Sequence, residues 1–84
     1  MNHQQINNLK VGATYELQEE YTYKIDFLGD KSPVIPKGTQ MKYLHSVLNG
    51  YVFGFDKVFE SPLGLECTFG RSRLLKMKLK EVES

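Results

Sequence analysis

Residues Gly29 to Gln40 read GDKSPVIPKGTQ, with two glycines, two lysines and two hydroxyl side chains in one short stretch. Phosphate binding is the chemistry to consider first. Glycine lets backbone N–H groups approach an anion, and lysine adds positive charge. A phosphate loop, however, runs G-x-x-x-x-G-K-[ST] into the N-terminus of a helix. Here the order is Lys37-Gly38-Thr39, a strand pattern follows, and Pro33 and Pro36 each lack an N–H. The stretch therefore reads as a surface loop closed by a tight turn at Lys37-Gly38. Lys31 and Lys37 stay available as point charges for an anionic partner.

The other reactive side chains are sparse. The chain has two histidines and one cysteine. Nucleophilic catalysis needs a nucleophile, a base and an orienting group, and these residues assemble none. Glu19-Glu20 is read as a strand break or a surface pair. His45 has no second histidine near it in sequence, so a packed or surface imidazole is expected there, not a metal ligand. Cys67 shares its parity with Leu65 and Phe69, which suits a buried, inert thiol. No catalytic residue, metal site or cofactor is expected.

Charge is asymmetric although the net value is only +1. Thr14 to Asp30 holds five acids and one base, while Arg71 to Lys80 holds five bases and no acid. Arg71, Arg73, Lys76 and Lys78 could form a phosphate-binding stripe with nearby aromatics for stacking. Alternatively the first and last strands are neighbours. Outward Glu16, Gln18 and Glu20 then face Lys76, Lys78 and Lys80 across a ladder and the field largely cancels. Near-neutral composition favours the second reading.

Aromatic residues carry the main functional clue. There are five Tyr, five Phe and no Trp. Met41 to Phe55 reads as a β-hairpin around Asn49-Gly50, a favoured type I′ pair. That register sets Leu48 opposite Tyr51, Ser46 opposite Phe53 and Leu44 opposite Phe55, with Val47–Val52, His45–Gly54 and Tyr43–Asp56 on the other face. Both faces are apolar, and only one can enter a core. The other must be covered by a partner, by a second copy, or by Tyr21–Leu28 folding over it.

These residues need a scaffold. With 84 residues, one small domain is expected, its single cysteine excluding an intrachain disulfide. Residues 1–8 are read as a flexible end with at most one helical turn, and 9–84 as one β-barrel domain. Tyr15, Leu17, Tyr21, Tyr23, Ile25 and Phe27 alternate with polar residues, a strand period, with a division expected near Glu19–Glu20. Pro33 and Pro36 hold Val34 and Ile35 extended. Ser61-Pro62-Leu63-Gly64 suits a type I turn. Leu75, Met77 and Leu79 alternate with lysines and are read as a last strand; a helix with Leu75, Leu79 and Val82 inward is the alternative. No apolar run approaches the roughly 20 residues of a membrane span, and the lone cysteine suits a reducing cytoplasm.

Five or six short strands in this length predict an all-β fold, a small SH3-like barrel with a long loop after the first strand. The segments VGATYELQEEY, VIPKGTQMKYL and NGYVFGF, with their Gly-x-x-Tyr strand, Pro-x-Gly-Thr turn and aromatic hairpin, resemble small uncharacterised bacterial and phage SH3-like barrel domains. The resemblance spans about half the chain and implies a fold, not an activity. The expected function is binding without catalysis: an inhibitor or accessory subunit that contacts a protein partner, or itself, through Tyr43, His45, Tyr51, Phe53 and Phe55. The alternative is a nucleic-acid or small-nucleotide binding or sequestering protein that uses Lys31, Lys37, Arg71, Arg73, Lys76 and Lys78. No membrane partner is expected.

Overall fold

The structure is a computed structural model and describes residues 1–24, 27–49 and 54–82. In chain order it contains α1 (His3–Asn7), β1 (Thr14–Leu17), β2 (Tyr21–Thr22), a 3-10 turn (Gly29–Lys31), β3 (Val34–Ile35), β4 (Gln40–Asn49), β5 (Gly54–Glu60), β6 (Glu66–Phe69), α2 (Arg71–Leu74) and β7 (Leu79–Val82). The long alternating run divides as its length requires. β1 stops at Leu17 and β2 begins at Tyr21, on either side of Glu19–Glu20. The segment after β1 is more than a loop: β2 and β3 pair as a ribbon, Tyr21 with Ile35 and Thr22 with Val34. Gly38, at φ 89°, makes the turn into β4, and Thr39 Oγ1 closes it by donating to the Pro36 carbonyl at 2.7 Å.

Five strands form one sheet in the order β6-β5-β4-β1-β7, and β2-β3 stands apart. The main sheet is thus open, with β6 and β7 as its edges among the described residues. This corrects the expected all-β SH3-like barrel: the described residues form a mixed fold, with two helices and two sheets that do not close. The error has a local origin. Leu75, Met77 and Leu79 alternate, but the residues that pack are Leu74, Met77 and Leu79. A helical turn buries Leu74, the chain straightens, and only Leu79–Val82 remains as strand. Neither the strand nor the helix expected for residues 73–82 describes this succession.

One face of the sheet carries the core. Tyr15, Leu17, Met41, Tyr43, Phe59, Phe69 and Leu79 pack with Ile6 of α1, Leu74 of α2 and Met77. Burying each such side chain stabilises the fold by about 1.5–3 kcal/mol. The N-terminal octet, read from sequence as a loose end, takes part through Ile6. Asn2 caps α1 by accepting from the Gln5 N–H, and the Gln5 side chain returns the bond to the Asn2 N–H, both at 2.8 Å. The Met1 ammonium donates to the carbonyls of Leu74 and Met77. Burial, and then the charge of Lys78, holds that ammonium below its ordinary pKa.

The β4–β5 hairpin has a different register from the expected one. Asn49 pairs with Gly54, Leu48 with Phe55, Val47 with Asp56, Ser46 with Lys57 and His45 with Val58. The ladder then shifts at a bulge, and Tyr43 pairs with Phe59. The observed register is thus not that of a two-residue turn at Asn49-Gly50; Gly50 itself lies outside the described residues. Asn49 belongs to the strand and has no positive φ. Turn propensity lost to packing. The two-residue turn would oppose core-facing Tyr43 to Asp56, whereas the observed register opposes it to fully buried Phe59, with ring centroids 5.3 Å apart. By contrast, the Ser61–Gly64 turn forms as expected: Gly64 N–H donates to the Ser61 carbonyl at 2.9 Å, and Gly64 follows at φ 80°.

Candidate interaction surfaces

The bulge at Leu44 decides what the hairpin presents. Tyr43 lies before it and is only 5% exposed; His45 lies after it and faces outward. The expectation that one complete parity set would be core and the other surface fails for this reason. On the core-facing side, three cross-strand pairs follow one another outward. Tyr43–Phe59 is buried. Ser46–Lys57 comes next and is polar: Lys57 Nζ donates to Ser46 Oγ at 2.9 Å, and Ser46 Oγ lies 2.8 Å from the Tyr43 hydroxyl. Leu48–Phe55 lies beyond, 72% and 60% exposed. The polar pair separates this outer apolar pair from the core. Of the expected interaction residues, Phe55 and His45 are thus exposed and Tyr43 is core, while Tyr51 and Phe53 lie outside the described residues.

The basic residues are largely engaged within the chain. Arg71 donates to Asn7 Oδ1 at 2.6 Å and lies 3.1 Å from His3 Nδ1. Arg73 stacks on the Tyr23 ring at 3.8 Å and donates to the Tyr21 hydroxyl and the Lys24 carbonyl. Lys78 pairs with Glu19 at 3.0 Å. β1 and β7 are neighbours, and Glu16 sits opposite Lys80. Lys31, Lys37 and Lys76 are exposed, but they belong to the 3-10 turn, to the turn before β4 and to the segment after α2. Of the five tyrosines, the four described are buried or half-buried.

A second surface escaped the sequence reading. Tyr23, Pro33, Ile35, Cys67, Thr68 and Phe69 line an apolar groove of about 330 Å³ between the β2–β3 ribbon and the edge strand β6. Its signal was divided among distant segments. The ribbon is held there by the Tyr23–Phe69 edge contact at 5.9 Å and by Arg73 stacked on the Tyr23 ring. Cys67 is half-buried and free. Among the described residues no group of three or more His, Cys, Asp or Glu side chains is placed to hold a metal ion. Among the described residues no helix is long and apolar enough to cross a membrane.

The chain matches no family model, and no curated protein or solved structure matches it.

Proposed function

We propose that this protein is a binding module that acts through protein–protein contacts, as an inhibitor or accessory subunit, and carries out no catalysis of its own. The observation that carries the reading is the Leu48–Phe55 pair, exposed at the outer end of the hairpin and cut off from the core by Ser46 and Lys57. Apolar side chains so placed contribute nothing to the core and gain stability only when another surface covers them. The polar girdle beneath them supports a contact surface with an apolar centre and a polar rim. A nucleic-acid role has less support, because Arg71, Arg73 and Lys78 already have intrachain partners.

The test places a photo-crosslinking amino acid at position 48 of the full chain in its source cells. A discrete polypeptide adduct, insensitive to nuclease and lost in Phe55→Ser, is the expected result. An adduct of the chain's own mass identifies self-association. A nuclease-sensitive adduct, or none, refutes the reading.

A further inference from the structure

β6 is an edge strand, and the direction of its unused backbone groups follows from the hydrogen bonds around it. Ser61 N–H donates to the Leu65 carbonyl at 2.8 Å and Leu65 N–H returns a bond to Ser61 Oγ at 3.2 Å, so Ser61 and Leu65 turn their backbones toward each other as a hydrogen-bonded pair does. In an antiparallel ladder such pairs alternate with non-hydrogen-bonded ones. Counted along the register, Phe59–Cys67 and Lys57–Phe69 are hydrogen-bonded pairs, and Glu60–Glu66 and Val58–Thr68 are not. The far side of β5 agrees. Tyr43 turns its N–H and C=O toward β1, where they meet Ala13 and Gly12 at 2.9 and 2.8 Å. Lys42 is then left to bond Glu60 across β4–β5. Glu60 therefore directs its backbone toward β4, and Glu66 and Thr68 direct theirs off the sheet.

The side chains at this edge say what would fit. On the core side, Cys67 and Phe69 adjoin the apolar groove with Tyr23, Pro33 and Ile35. On the other side, the register aligns Thr14, Lys42, Glu60 and Glu66 in one row. Two carboxylates lie directly opposite each other, an unfavourable cross-strand pair. The single lysine of the row stands on the far side of Glu60. Glu66 is exposed, ends the row, and has no ion pair among the described residues.

We propose that the β6 edge takes an extended basic segment of a partner protein as an added antiparallel strand, with a lysine or arginine opposite Glu66 and the neighbouring apolar side chain in the groove beside Cys67. Main-chain bonds to Glu66 and Thr68 supply the attachment, and the alternation of cation and apolar residue supplies the selectivity. A second copy of this chain is the poorer occupant. A two-fold axis that continues the sheet keeps each face on its own side. Glu66 then meets Glu66, Thr68 or Gly70 of the second copy, and none is a cation. The proposal rests on the reading of the chain as a binder of proteins, but it uses a surface separate from the hairpin end.

The probe is a capped heptapeptide alternating lysine and valine, titrated into the full chain and followed by amide NMR shifts. Controls are the same peptide with glutamate for lysine, and the lysine peptide N-methylated at alternate residues on its bonding edge. The lysine peptide should bind about tenfold more tightly than the glutamate one, shift the amides of residues 65–69, and lose binding on N-methylation. Glu66→Lys should reverse the preference; if that variant fails to fold, the three peptides on the unaltered chain still decide. Equal affinity for the lysine and glutamate peptides, indifference to N-methylation, shifts confined to other strands, or no binding at millimolar peptide each overturn the proposal. The Phe55→Ser variant should keep peptide binding while losing the crosslink from position 48, so the two surfaces fail independently.

Discussion

Two phenylalanines on one strand, on the same face and four residues apart, should respond very differently to the same substitution. Phe59 is fully buried and makes ring contacts with Tyr15, Tyr43 and Phe69 at centroid distances of 6.2, 5.3 and 5.9 Å. Truncation to alanine removes its transfer free energy and leaves a cavity, together about 3–5 kcal/mol. The three ring contacts place the value toward the upper end. For a domain of this size each kcal/mol lowers Tm by roughly 4–8 °C, so Phe59→Ala should lower it by at least about 12 °C. Against a typical stability of about 5–15 kcal/mol, that is enough to leave a weaker fold partly unfolded. Phe55→Ala removes a ring that is 60% exposed and should change stability by less than about 0.5 kcal/mol. Urea unfolding followed by circular dichroism measures both, with unchanged slopes confirming a comparison of like states. Equal losses at the two positions, or a larger loss at Phe55, would refute the four-residue separation of Asn49 from Gly54 and with it the isolation of the hairpin end.

Two further outcomes follow from single contacts. Gly38→Ala puts a side chain at φ 89° where nothing lies within 4 Å of the new Cβ; the loss should be pure backbone strain, about 1–2 kcal/mol, and Gly38→Asn should lose less. Arg73→Lys keeps the charge but gives up the flat stack on Tyr23 and the fork to Tyr21 and Lys24; hydrogen exchange should quicken in β2 and β3 at least severalfold, with β4 and β5 unchanged. Quickening throughout the sheet would mean that the ribbon is not held by Arg73.

The strands that sequence reasoning located best are those with alternation and a conformationally restricted neighbour. Tyr15 and Leu17 alternate with Thr14 and Glu16, and the burial follows. Val34 and Ile35 lie between two prolines and form β3. The misreadings arise where two local signals competed and tertiary packing chose. Asn49-Gly50 carries a strong turn preference, yet Phe59 enters the core only if the hairpin closes further out. Leu74 and Leu75 are adjacent leucines. Alternation selects Leu75, but Leu74 lies under the sheet and Leu75 is 39% exposed. The N-terminal helix did have a written signal, Asn2 followed three residues later by Gln5, but a single helical turn is stable only where Ile6 finds a core, and sequence period does not report that.

The surfaces show the same division between local and non-local information. Parity alone marks the hairpin as having more apolar residues than one core can use, and exposed Phe55 agrees. Parity cannot carry an argument across a bulge, and Leu44 is where it breaks: Tyr43 is core, whereas His45 and Val47, of the same expected set, lie on the opposite face and are exposed. The β6 edge was invisible for a further reason. Glu60 and Glu66 are separated by a turn in the sequence and become directly opposed only once Ser61–Gly64 closes. Their repulsion is tolerable at a solvated edge, where water screens both carboxylates. It would be better balanced between two cations, and Lys42 supplies one side. An edge strand that faced no partner would more commonly carry a lysine of its own to discourage pairing. β6 carries Glu66, Cys67, Thr68 and Phe69 beside an open apolar groove, an arrangement that rejects another acidic strand and accommodates a basic one.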